Sequence, residues 1–92
     1  MKKKLTQTQV LAKELAKRSF TSKQASALLG ITRLAEIKRR VDEAVASFGY
    51  MPLIFTNYPS VNTRYGITRI AEYYVPAHLK KEYKLFLKLF FI

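Results

Sequence analysis

Five apolar residues, Leu34, Ile37, Val41, Val45 and Phe48, recur at spacings of three and four and so fall on one stripe of a helix. A stripe of that length must be covered by other elements of the same chain. At about 100° per residue, it also sets what lies outside: Glu36, Arg39 and Glu43 stand opposite, with Arg33 and Arg40 on one flank. The predicted helix runs over 32–48, capped by Thr32 and ended by Gly49.

The segment before it has the punctuation of another helix. Thr21-Ser22-Lys23-Gln24 matches a capping box, in which the Thr oxygen accepts the amide three residues on and Gln24 reaches back. Ala25, Leu28 and Leu29 form its expected buried side. Gly30 has no Cβ and suits the left-handed residue that ends a helix, so the two helices should meet at a short corner. Earlier still, residues from Thr6 to Ser19 read as a helix. Val10, Leu11 and Leu15 face inward there with Ala12 and Ala16 beside them, and Lys13, Lys17 and Arg18 lie outside. Phe20 is an expected core anchor.

Composition enters through charge. Seventeen Lys and Arg stand against six Asp and Glu in 92 residues, a formal net charge of +11, divided as +7 over 1–49 and +4 over 50–92. A field spread in this way attracts polyanions and is not a basic tail on a neutral domain. With no Cys and only His78, neither a disulfide framework nor a usual zinc ligand set is expected. No Ser, His and Asp set, Gly-rich phosphate loop or pair of carboxylates at useful spacing occurs, so neither an enzyme nor a cofactor is expected. Lys2 to Lys4 are followed by polar residues and not by the apolar run of a signal peptide, which makes the cytoplasm the expected location.

After Phe48 the pattern changes. Tyr50 to Tyr58 is rich in strand formers, with Pro52 demoting its start to an edge or bulge. Tyr58 to Thr63 has turn chemistry, and Arg64 to Val75 reads as a second strand with Tyr65, Ile67, Ala71, Tyr73 and Val75 on one side. The hairpin should carry Asn57, Tyr58, Asn62 and Arg64 at its tip.

Three helices followed by a hairpin is the order of a winged helix. Through Ile31 to Val41 (ITRLAEIKRRV), Gly49-Tyr50, and Arg64-Tyr65 leading into Glu72-Tyr73-Tyr74-Val75, the chain resembles the winged helix-turn-helix domains of small bacteriophage and prophage proteins, over roughly residues 8–75. The resemblance implies a mainly α fold with a β-hairpin (α+β). It also implies binding of double-stranded DNA through the helix from Thr32, in a transcriptional regulator, excisionase-like or architectural factor of the host cytoplasm. Groove contacts would fall to Thr32, Arg33, Glu36, Arg39 and Arg40, since Arg pairs with guanine and Glu can accept from cytosine. Phosphate contacts would fall to Lys23, Arg18, Arg64 and Lys2 to Lys4, with Asn62 on the wing. Glu36 could instead pair along the helix with Arg40, and Arg39 with Glu43. Because such scaffolds also serve protein contacts, an adaptor for a host or phage protein is the other reading.

Residues 76–92 lie outside the resemblance, as a segment added to the domain of residues 1–75. After Pro76, Leu79, Tyr83, Phe86 and Phe90 form an apolar stripe, with Lys80, Lys84 and Lys88 aligned at spacings of four. Leu85, Leu87, Leu89, Phe91 and Ile92 make the end apolar nearly all round. Burying four or five such side chains is worth roughly 6–12 kcal/mol before entropy. The cover could be the chain's own core, a second copy or a membrane surface, the segment being too short to span a bilayer. The excess of terminal apolar residues favours a homodimer through Leu79, Tyr83, Phe86, Leu89 and Phe90, which would present two recognition helices to two half-sites.

Overall fold

The computed structural model describes residues 5–91. Lys2 to Lys4, expected as phosphate contacts, and Ile92 lie outside the described residues. In chain order the elements are α1 (Gln7–Leu15), β1 (Phe20–Thr21), α2 (Ser22–Leu29), α3 (Leu34–Ser47), β2 (Phe55–Asn57), β3 (Ser60–Thr63), β4 (Gly66–Arg69), β5 (Glu72–Tyr74), a 3-10 turn (Ala77–Leu79) and α4 (Lys80–Phe90). The result is an α+β domain of helices and short antiparallel strands.

Thr6 opens α1 with a capping box of its own, its hydroxyl accepting from the Gln9 amide at 3.2 Å while Gln9 reaches back at 3.3 Å. The helix stops at Leu15 and does not continue to Ser19. The amides of Ala16, Lys17 and Arg18 fold back onto the carbonyls of Lys13 and Glu14, tightening the last turn and freeing the chain to extend at Phe20.

The box at α2 forms as the spacing predicts, with Gln24 N to Thr21 Oγ1 at 3.3 Å and Thr21 N to Gln24 Oε1 at 3.1 Å. Gly30 takes φ +69°, a conformation that favours glycine, and its amide donates to Ser26 O. Two details of the corner differ from expectation. Thr32 is an exposed corner residue and not the cap, because fully buried Ile31 holds the inside of the bend. Helical bonding then starts with Ile37 N to Arg33 O, and Arg33 occupies the capping position without a side-chain bond. Leu28 is 57% exposed, since α2 approaches the core through Ala25, with only Leu29 beside it.

Leu34, Ile37, Val41 and Val45 of α3 are buried, as the stripe requires, but Phe48, its fifth residue, is 41% exposed at the C-cap, where the helix has ended. They share one core with Leu11 and Leu15 of α1, Phe20, Ile31, Leu53, Ile54 and Val75. Residues 76–92 join that same core. Tyr83 and Phe86 of α4 are fully buried in it, and Leu79, Leu87 and Phe90 pack against it. The predicted apolar stripe is therefore satisfied within the chain. Tyr83 and Phe86, expected at a contact between copies, are interior residues whose removal from water is already complete.

In the strand region the core sheet has the order β1-β5-β2, antiparallel throughout, with Phe20 opposite Tyr73 and Thr56 opposite Tyr73 on the other side. Beyond it β3 and β4 form a separate two-stranded ribbon, with Ser60 opposite Arg69 and Asn62 opposite Ile67. Pro59 stands at the interruption: it has no N–H to give to a ladder, while its carbonyl accepts from Ile70 N at 3.2 Å. The hairpin reverses at Arg64 and Tyr65, where Thr63 Oγ1 accepts from Tyr65 N and donates to Gly66 O. The expected turn over Tyr58 to Thr63 is thus mostly strand. Only Arg64 of the four expected tip residues is at the tip. Tyr65 and Ile67 are 94% and 76% exposed, so they do not share the inward side with Tyr73 and Val75.

Candidate functional site

The outer face of α3 is built by its own stripe. With four apolar residues turned inward, Glu36, Arg39, Arg40 and Glu43 must face solvent, preceded by exposed Thr32 and Arg33. These side chains are tied to one another. Glu36 takes Arg33 on one oxygen at 3.6 Å and Arg40 on the other at 3.2 Å. One turn on, Arg39 pairs with Glu43. Lys38 is drawn off this face. It pairs with Asp42 at 2.6 Å and its ammonium stands 5.5 Å from the centre of the Tyr73 ring, on the side of the core sheet. The α3 face is therefore a lattice of opposite charges and carries little net positive field.

A second part of the surface lies between the start of α2 and the ribbon. Thr21, Ser22 and Lys23 on one side, and Val61, Asn62 and Thr63 on the other, line a cleft of about 540 Å³ floored by Ile70 and Ala71. By the register, Val61 and Thr63 share one ribbon face and Asn62 lies on the other with Ile67, so Asn62 borders the cleft from the ribbon's opposite face. The cleft brings together Lys23 and Asn62, which the sequence offered separately. Ser22 and Thr63 line the same cleft.

The remaining expected residues stand apart. Arg64 is on the ribbon turn. Arg18 is bound locally at the corner between α1 and β1, with Nε donating to Ser19 O at 3.3 Å and its guanidinium 5.1 Å from the Phe20 ring centre. Arg69, which in the sequence reads only as an interruption of the apolar alternation of the second strand, lies exposed on the ribbon face with Ile67. Compared with family models, curated proteins and solved structures, the chain matches none. Among the described residues no helix is long and apolar enough to cross a membrane.

Proposed function

We propose that this chain is a winged helix-turn-helix protein that binds double-stranded DNA, laying α3 in a groove while the start of α2 and the ribbon hold the flanking backbone. The pairing of β1 with β5 carries the reading. β1 lies between α1 and α2, and β5 closes the hairpin, so this ladder holds the hairpin beside the start of α2 while the outer face of α3 stays exposed. Lys23 and Asn62 border one cleft, which supports a phosphate grip of the kind that positions such a helix. The ion pairs of α3 do not oppose this use. Exposed pairs at these spacings contribute only ~0.2–0.5 kcal/mol, so a guanine edge or a phosphate displaces them readily. Glu36 then serves to hold Arg33 and Arg40 apart and extended before DNA arrives.

Titration of duplexes selected from a random pool, at two salt concentrations, tests the reading. Affinity is expected to fall steeply with salt through release of counterions. Arg33→Ala should cost about 1–3 kcal/mol on the preferred duplex and relax its preference, whereas Lys23→Ala should weaken all duplexes alike. Exposed Tyr58, Tyr65 and Ile67 on the hairpin favour a second reading, an adaptor that offers this apolar surface to a protein. Failure to bind any duplex at low salt, with a protein captured through Tyr65 and Ile67, would decide for the adaptor.

A further inference from the structure

We infer that the outer face of α4 is a second duplex-DNA surface, one that grips phosphates without regard to sequence, so that one chain holds two DNA segments. The inference rests on the DNA-binding reading only for the class of ligand. Its own observation is a row of lysines that, among the described residues, have no carboxylate partner. Lys80, Lys81, Lys84 and Lys88 occupy an arc of about 100° on α4, turned away from buried Tyr83 and Phe86. The pairing that ties up the cations of α3 is missing here: Lys17, Arg33, Lys38, Arg39 and Arg40 each have a carboxylate within 4 Å, but among the described residues none of the four α4 lysines does. Like charges at spacings of four cost helix stability, so this row opposes folding until an anion meets it.

The chemistry of the face selects the anion. Lys80, Lys84 and Lys88 rise about 6 Å per step, comparable with successive phosphates along an inclined strand that climbs 3.4 Å per nucleotide. A second copy would set lysine against lysine. Protein interfaces are depleted in Lys, because its hydrated ammonium is costly to cover. A membrane needs the broad apolar face of an amphipathic helix, and α4 has already buried that face, leaving chiefly Leu85 and Leu89 at 46% and 42% exposure. Phosphates on a duplex ask for neither burial nor an apolar face. α3 and α4 each bury a stripe in the same core and so each turn an outer face to solvent, and the inference assigns a separate DNA segment to each face.

The test uses the full chain, a duplex anchored on beads and a second, fluorescent duplex. The wild-type protein should carry the second duplex onto the beads, and this capture should fall about a hundredfold between 50 and 200 mM salt, as for about four phosphates at a slope near 0.9 each. Replacing all four lysines by Gln (K80Q, K81Q, K84Q, K88Q) should lower capture by about tenfold or more while affinity and sequence preference for the anchored duplex persist. Should that variant not fold, K84E with K88E gives the same readout. Capture undiminished by these changes, or a wild type that holds one duplex and never a second, overturns the inference and leaves the α3 reading standing. Binding of anionic phospholipid vesicles through the lysines, with no second duplex captured, also overturns it. Absence of any duplex binding at low salt removes the α3 reading first and this one with it.

Discussion

The hydroxyl of Tyr83 donates to the carbonyl oxygen of Ala12, and that oxygen is available because of how α1 ends. Ala16 N–H turns to Lys13 O at 3.3 Å and not to the carbonyl four residues back, so α4 supplies the bond that the tightened turn gives up. Burial, and secondarily the negative charge of Asp42, push the Tyr83 phenol well above its ordinary range. The sign follows: the unfolded chain ionises this group near pH 10 and the folded chain does not. Its stabilisation is complete below that pH and is lost as pH rises beyond it, by up to about 1.4 kcal/mol per unit. Tyr83→Phe should cost about 1 kcal/mol at pH 7 through the lost hydrogen bond and should flatten the alkaline decline. Denaturant unfolding at pH 7 and above pH 10 checks both, and an equally steep decline in the variant refutes the assignment. Nothing in the sequence could name Ala12 as the partner, because the two residues are 71 positions apart and the acceptor is backbone.

At the scale of elements, what was legible was what short-range chemistry determines. The Thr21 to Gln24 box, the left-handed Gly30 and the buried stripe of α3 each depend on residues within one or two turns, and all three form. The ribbon was misplaced for an equally physical reason. Every residue from Asn62 to Arg69 is exposed, so no alternation of apolar and polar positions marks the two strands, and Ser, Asn and Thr read as turn formers. The candidate site divides in the same way. Glu36 with Arg40, and Arg39 with Glu43, follow from spacings of four, whereas the cleft that Lys23 and Asn62 both border depends on where the ribbon packs relative to α2, which the sequence does not encode locally. Thr21 serves both kinds of structure, since it pairs with Glu72 across the sheet and caps α2 while only 7% exposed. Thr21→Ala is therefore expected to lower stability by about 0.5–2 kcal/mol, and Thr21→Ser, which keeps the capping oxygen, by distinctly less. Thermal unfolding of the pair measures the difference, and equal losses would mean that the hydroxyl contributes nothing.

For the molecule as a whole, the main question is whether residues 76–92 are an appendage or part of the domain. An appendage that served only to join two copies could be removed to leave a folded monomer. The core argues against that outcome. Tyr83 and Phe86 are fully buried among Leu11, Leu15, Val41 and Val45, and Phe86 meets Phe48, Tyr50 and Phe90 in edge and stacked arrangements with centroids 5.2–6.4 Å apart. Fully burying such a side chain contributes ~1.5–3 kcal/mol, so two of them with half-buried Leu79, Leu87 and Phe90 approach the ~5–15 kcal/mol that keeps a whole domain folded. A chain ending at Val75 should consequently show no cooperative thermal transition, and Phe86→Ala in the full chain should lose about 3–5 kcal/mol. Circular dichroism melts with light scattering make the comparison. A truncated chain that still melts cooperatively as a monomer would return α4 to the role of an appendage. Loss of folding on truncation would instead tie the lysine row of α4 to the same rigid body as α3, so that anions on either face act on the stability of one core.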